Sequence, residues 1–318
     1  MEKTYEEIVS DDFVKTPLVS IRVLAYNHEK YISQCLDSLV CQVCDFGYEI
    51  VIGEDCSTDG TLEICKAYQK KYPDRVRIIH NRKNLGLMDN FLQINSLLRG
   101  DYIACCAGDD YWVDMDKLQK QVAILKQKPC ASAVITNKQI VDDDGNVLCR
   151  ECIIVPENKE REYSLHDFFS IPNDFSSLTM LYRKLSYDKT VDIYKRLYST
   201  FLEDYTLWIC LLTQGNFYFL NDVTAAYRIN PTSVTHTQNA VLRWKEDFQI
   251  RRNLISVLPK EYHKYLKNDE HAYFKIGMAY RKMQKYPQAM WNFLRAFCCS
   301  PIRFVKQIRE LLANKKGT

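Results

Sequence analysis

Tyr48-Glu49-Ile50-Val51-Ile52-Gly53-Glu54-Asp55-Cys56-Ser57-Thr58-Asp59-Gly60-Thr61 runs from an apolar stretch into a short acidic turn. Ile50, Val51 and Ile52 are β-formers in a short continuous run, the pattern of a strand buried on both faces. The turn that follows holds Glu54, Asp55 and Asp59 among Ser, Thr and Gly, residues that bond their own backbone and stop regular structure. A second copy of this pattern lies downstream, where Tyr102 to Ala107 leads into Gly108-Asp109-Asp110-Tyr111-Trp112. In open α/β sheets ligands bind at the carboxyl ends of parallel strands. Carboxylates leaving two such strands suit a hard divalent cation and the polar parts of a nucleotide.

Outward from these turns the pattern alternates. Val19 to Leu24 reads as a strand, His28 to Val40 as a helix with Ile32, Leu36, Leu39 and Val40 on one face. A helix over Thr61 to Lys71, capped by Asp59 or Thr61, a strand over Val76 to Ile79 and a helix over Asp89 to Leu98 come next. The strand Asp101 to Cys106, the helix Lys117 to Leu125 and the strand Ser132 to Thr136 continue the series. Such alternation implies parallel pairing with helices on both faces. Asp143-Asp144-Gly145-Asn146 predicts a hairpin between Gln139–Val141 and Val147–Cys149. Beyond a polar stretch, a short helix is expected at Leu165 to Phe169, a strand at Leu178 to Tyr182 and a helix at Asp204 to Leu212. Strands at Phe217 to Leu220 and Val223 to Tyr227 close the series.

The chain divides into a polar N-terminal segment, residues 1–16, an α/β domain, residues 17–238, and a helical region, residues 239–318. Within the last, residues 270–303 carry Tyr273, Ile276, Gly277, Tyr280, Ala289, Phe293, Ala296 and Pro301 at the spacing of one tetratricopeptide-like hairpin. A single copy reads as a helical hairpin docked on the main domain, or as a partner-binding module. The basic tail from Pro301 places Phe304, Ile308 and Leu311 on one face, which suits a last packed helix or a helix on an anionic membrane.

Bulk composition narrows the function classes. Forty-three basic residues against 40 acidic ones give a net charge of +3 over 318 residues, too balanced for a nucleic-acid binder. No apolar run reaches membrane-spanning length, and the polar start does not read as a secretory signal. Thirteen cysteines without such a signal are expected as free thiols in a cytoplasmic protein.

The ordered set of motifs resembles glycosyltransferase family 2 with the GT-A fold. Pro17-Leu18-Val19-Ser20-Ile21 leading into Ala25-Tyr26-Asn27-His28-Glu29 resembles its opening, and Glu54 to Thr61 its nucleotide-binding acidic turn. Asn84-Leu85-Gly86 is similar to the following loop, Gly108-Asp109-Asp110 to the metal motif, Phe201 to Trp208 to the segment of the catalytic base, and Tyr227-Arg228 with Ser233 to the closing strand. The likeness covers Pro17 to Thr237, with a nucleotide-diphospho-sugar transferase sheet flanked by helices as the expected fold. It implies a nucleotide-sugar donor, UDP-sugar first, held by Ala25, Tyr26, Asn27, Glu54, Asp55, Asn84, Asp109 and Arg228. It implies Mg²⁺ or Mn²⁺ on Asp110 and Asp109, with His236 nearby, and Asp204 or its neighbour Glu203 as general base. The implied reaction is an inverting, non-processive transfer to a cell-surface glycan or a lipid-linked precursor, with the protein peripheral at the cytoplasmic membrane face. Ala107 stands where many members carry an acid, and Ala240 stands where processive members carry Gln before Arg243-Trp244. A nucleotidyltransferase and an inactive GT-A-fold binding module are the rival readings.

Overall fold

The computed structural model describes residues 4–150, 161–170, 175–197, 203–230, 240–266 and 270–314. The strands are β1 (Tyr5–Ile8), β2 (Val19–Ala25), β3 (Tyr48–Glu54), β4 (Val76–Asn81), β5 (Tyr102–Ala107), β6 (Tyr111–Trp112), β7 (Ala131–Val141), β8 (Val147–Cys149), β9 (Arg161–Tyr163), β10 (Leu181–Arg183) and β11 (Asn216–Arg228). The helices of the sheet-bearing part are α1 (Ile32–Val40), α2 (Thr61–Lys71), α3 (Leu87–Leu97), α4 (Lys117–Gln127), α5 (Leu165–Ser170), α6 (Lys184–Asp188), α7 (Val191–Arg196) and α8 (Glu203–Leu212). After them come α9 (Ala240–Leu254), α10 (His263–Leu266), α11 (Glu270–Lys282), α12 (Tyr286–Cys299) and α13 (Pro301–Asn314).

Two compact units result: Met1–Lys195 with Glu203–Pro231, and Arg196–Leu202 with Thr232–Thr318. The first carries one mixed sheet in the order β1-β4-β3-β2-β5-β10-β7-β11-β6, with β8 beside β7 and β9 beside β11. Strands β4, β3, β2 and β5 run parallel, as the alternation predicts. They bury almost every side chain (β3 entirely), because helices cover both faces and no alternation with solvent is needed.

Three features differ from the sequence expectation. The polar N-terminal segment supplies β1, an antiparallel edge strand on β4. The predicted strand at Leu178 to Tyr182 is a 3₁₀ turn, Ser177–Thr179, followed by β10, which is antiparallel to both β5 and β7. The two last strands are one, β11, whose register against β7 shifts between Leu220 and Ala225. An irregularity of that kind bends a strand without ending it.

Arg22 is the one charged residue of β2. It lies in the middle of β2, opposite Val51 and Cys105, and is buried. Its guanidinium donates to Asn95 Oδ1 (2.8 Å) and Cys105 Sγ (3.1 Å) and lies 4.0 Å from the Phe91 ring centroid. No carboxylate among the described residues forms an ion pair with it.

In the second unit α11 and α12 pack against each other. Gly277 shows why a small residue stands there: an added Cβ would lie 2.8 Å from the Phe293 ring. Phe274 packs against Phe293 (5.6 Å between centroids) and Phe304 of α13 (5.7 Å), so the last helix closes the hairpin.

Candidate active site

Three adjacent parallel strands end at one level. Ala25 of β2 pairs with Glu54 of β3, and Leu24 with Ala107 of β5. Because β2 leaves for α1 while β3 and β5 flank it, this edge is a point where the strand order reverses, the usual crevice for ligands in such sheets. Ala25-Tyr26-Asn27, Glu54-Asp55 and Gly108-Asp109-Asp110 all emerge there.

The loop after β2 and the first acidic turn are laced together. Asn27, in the left-handed region at φ 55°, donates its N–H to Ser57 Oγ (3.0 Å) and accepts from Thr58 N (2.8 Å). His28 N donates to Thr61 Oγ1, Glu29 N to Asp59 Oδ2, and Gly60 N to Glu29 Oε2. Asp59 also accepts Thr61 N (3.0 Å) at the start of α2, the capping that the sequence allowed. Ala25 is buried and its carbonyl accepts Asp55 N (3.0 Å), whereas Tyr26 is exposed.

Glu54 and Asp55 face inward. Glu54 accepts Ser57 N (2.8 Å) on one oxygen and lies 2.6 Å from His80 Nδ1 on the other. Asp55 accepts Asn81 Nδ2 (2.9 Å), Leu85 N (2.8 Å) and Gly86 N (2.9 Å), so it anchors the loop that carries Asn84. Asn84 itself is exposed and caps Gly86 N (2.9 Å). A carboxylate has about four lone-pair sites, so Asp55 keeps about one for a further donor.

The second acidic turn is arranged differently. Asp109 Oδ2 accepts Asn230 Nδ2 (2.9 Å), and Asp110 Oδ1 accepts Arg228 N (2.8 Å). Their remaining oxygens take no hydrogen bond from the described residues. Asp110 is buried, and that burial, with Asp109 beside it, pushes its carboxyl well above the ordinary range against the pull of Arg228 and Lys138. Glycine at 108 lets the turn pass under α1, since a Cβ there would sit 2.5 Å from His28 Nδ1.

Arg228 revises an expectation. Rather than pointing to a diphosphate, it ties loops together: Nε to Asp109 O (2.9 Å), Nη1 to Asp142 O (3.3 Å) and Asp143 O (2.8 Å), and Nη2 to Gln34 Oε1 (2.5 Å). Four of its five donors are thereby committed to protein, one of them to the Asp109 carbonyl. Tyr31 stacks on it at 5.0 Å and donates to Asp143.

Asp204 stands in the first turn of α8, half-buried, and accepts Ser177 Oγ (2.9 Å) from the turn before β10. An aromatic cluster holds this helix: Trp208 packs edge-on against Phe168 (6.2 Å) and Phe175 (6.1 Å). Burial raises the Asp204 pKa, while Ser177, Arg22 and Lys138 pull it back. Lys138, in β7, is buried and lies in electrostatic reach of both Asp110 and Asp204, linking the two ends of the site. Sequence reading passed over Lys138 and Ser177; Lys138 sits in the polar run Thr136-Asn137-Lys138-Gln139 of β7, which gave no signal of its own. Glu203 opens α8, but its side chain lies outside the described residues, as does all of His236.

No cluster of three or more His, Cys, Asp or Glu capable of holding a metal is found among the described residues. Two adjacent carboxylates, each with one uncommitted oxygen, fit a hard cation that completes its shell from a substrate diphosphate.

This is the edge of a GT-A sheet, and the chain belongs to glycosyl transferase family 2, whose description matches residues 20–189. It is 31% identical over 220 residues to the protein Rv1520 of Mycobacterium tuberculosis (strain ATCC 25618 / H37Rv), covering 69% of this chain and 61% of that relative. The match thus spans less than two thirds of the relative's length. Among solved structures, Staphylococcus aureus TarS 1–349 with UDP-GlcNAc superposes with a TM-score of 0.65 at 19% identity, covering 90% of this chain and 82% of that one. The mannosyltransferase PcManGT of Pyrobaculum calidifontis with GDP-Man and Mn²⁺ superposes with 0.57 at 16% identity, covering 98% and 84%. Both likenesses speak for the fold.

Proposed function

We propose that the protein is a metal-dependent, inverting glycosyltransferase that moves one sugar per encounter from a nucleotide-sugar, UDP-sugar first, to an acceptor hydroxyl. The observation that carries this reading is the pair of uncommitted carboxylate oxygens on Asp109 and Asp110, with Asp204 and Asp110 both in electrostatic reach of Lys138. TarS and PcManGT, which share the fold, bind UDP-GlcNAc and GDP-Man. The acceptor is a cell-surface glycan or its lipid-linked precursor, met at the cytoplasmic face of the membrane.

In this reading Tyr26, Ala25 and Asn27 line the base, and Asp55 offers its remaining lone pair to base or ribose while holding the Asn84 loop. Asp109 and Asp110 would hold Mg²⁺ or Mn²⁺, and such an ion would supply positive charge against the departing diphosphate. Asp204 takes the proton of the acceptor hydroxyl as its oxygen bonds to the anomeric carbon, and the bonding pair leaves with the nucleoside diphosphate. A raised pKa makes Asp204 a stronger base near neutrality, and Ser177 orients it. One base and one in-line displacement give inversion.

Thermal unfolding with UDP, GDP, TDP or CDP, each with Mn²⁺ or chelator, tests the donor side. A ligand at about a hundred times its dissociation constant stabilises by roughly 2.7 kcal/mol. A metal-dependent rise with one nucleotide is expected, and its absence in all four would sink the proposal. Asp204→Asn should keep that rise and lose sugar transfer by about 10³-fold; unchanged transfer would remove Asp204 as base.

A further inference from the structure

The sequence singles out Phe304, Ile308 and Leu311 as the apolar face of the last helix, the side that would meet a membrane. The structure turns Phe304 and Ile308 of that side inward. Phe304 packs against Phe274, Phe293 (6.3 Å) and Phe297 (5.8 Å), and Ile308 is half-buried. A different apolar surface is left outside. On α12, Met290 (73% exposed), Leu294 (52%) and Phe297 follow at steps of four and three, one stripe along the helix, with Trp291 (56%) beside it. On α13, Ile302 (85%) and Val305 stand on the outer side with Lys306 and Arg309. The opposite side of α12, Ala289 and Ala296, is buried in the hairpin, so the exposed stripe is not displaced core.

Charge decides what such a surface suits. From residue 281 to the end there are nine Lys and Arg and a single acid, Glu310. Arg295 lies 5.2 Å from the Trp291 ring centroid, a cation held beside an indole. Exposed Trp, Phe, Leu and Ile with basic side chains around them are the composition of a helix face that lies in the headgroup region of an anionic bilayer. A second copy of the chain would bring like charges together across the same contact. No helix among the described residues is long and apolar enough to cross a membrane, so the contact is one of lying on the surface.

We propose that the outer face of α12 and α13, centred on Met290, Trp291, Leu294 and Ile302, docks on an anionic lipid bilayer. This deepens the reading of a lipid-linked acceptor, because it places the chain on the surface where such an acceptor is held. Vesicle flotation tests it, with phosphatidylcholine alone or with added phosphatidylglycerol. Wild type is compared with Met290→Ser/Trp291→Ser/Leu294→Ser and with Arg303→Gln/Lys306→Gln/Arg309→Gln. Wild type should float with the anionic vesicles only, and each triple variant should bind more than roughly tenfold less. The basic variant's residual binding should also lose its salt dependence. Equal flotation of the serine variant, or no flotation of wild type, overturns the proposal. Light scattering that shows a dimer abolished by the serine variant, without flotation, assigns the face to a second copy and overturns it too. Nucleoside diphosphate binding on the same samples reads the transferase proposal separately, and the surface variants should leave it unchanged.

Discussion

The two acidic turns at the sheet edge look alike in sequence and are built for opposite ends. Around Glu54 and Asp55 every carboxylate oxygen has a protein partner: Ser57, His80, Asn81, Leu85 and Gly86. Around Asp109 and Asp110 each carboxylate gives one oxygen to Asn230 or Arg228 and leaves the other. The first turn is a lashing that shapes loops; the second holds negative charge in a buried place with little internal compensation. Carboxylates in a buried site stay costly until something positive joins them. The difference therefore separates carboxylates spent on holding loops from carboxylates that keep an oxygen for a ligand.

Asp110→Asn breaks the comparison with the largest effect. The amide keeps an acceptor for Arg228 N but removes the charge, so donor-dependent transfer should fall by about 10³-fold. Stability should move the other way. The folded state holds the Asp110 proton more tightly than the unfolded state does, so this group's contribution is lost as pH rises from the ordinary carboxylate range through its raised value. At acid pH both forms are protonated and the substitution is near neutral. Near pH 7 the variant should melt about 2–4 °C higher, the shift of roughly 1 kcal/mol in a unit of this size. Calorimetry across pH checks this, and a lower melting point at pH 7 would refute the uncompensated charge.

Asp55→Asn probes the first turn and should do the reverse. One carboxylate oxygen becomes an NH₂ facing an N–H donor, and the buried network loses about 2–3 kcal/mol. The midpoint should drop by roughly 5–10 °C, with KM for the donor rising more than kcat falls as the Asn84 loop loosens. Unchanged stability would show that the three hydrogen bonds contribute nothing, and the contrast between the turns would collapse.

How much of this was legible follows from how local each signal is. The parallel strands β2 to β5 and both turns could be read because each is a short apolar run with its turn chemistry directly attached. β10 was legible only as a strand near Leu178 to Tyr182: its bounds, Leu181–Arg183, are too short to show a period, and its antiparallel place between β5 and β7 depends on long-range pairing. Arg228 read as a ligand through the resemblance, yet its partners are Gln34 of α1 and the Asp142 and Asp143 carbonyls after β7, far away in sequence. Ser177 and Lys138 carry no motif of their own; only their meeting with Asp204 gives them meaning. The face of α13 stayed open between packing and a membrane for the same reason, since amphipathic spacing says which side is apolar but not which apolar side is covered.

A pH slope sharpens the comparison from beneath the second turn. Trp112 ends that turn by pairing with Ala225 of β11, and Lys117 lies under it, its Nζ 4.5 Å from the ring centroid and 2.7 Å from Gln121 Oε1. Lys117 is wholly buried, and that burial draws its pKa down to about 7, with Cys105, Cys106 and Asp114 opposing. The unfolded chain then binds the proton more tightly than the folded one between pH ~7 and the ordinary lysine range, so wild-type stability should climb with pH there by up to about 1.4 kcal/mol per unit. Lys117→Met removes the titrating group and should flatten that slope, whatever constant offset follows from leaving Gln121 Oε1 without its donor. Urea unfolding at several pH values from ~7 to ~9 reads the slopes directly. Parallel curves would mean that the amine keeps its proton through the buried contact with Trp112 and Gln121, and the floor of the second turn would then carry a positive charge that offsets Asp110 from below.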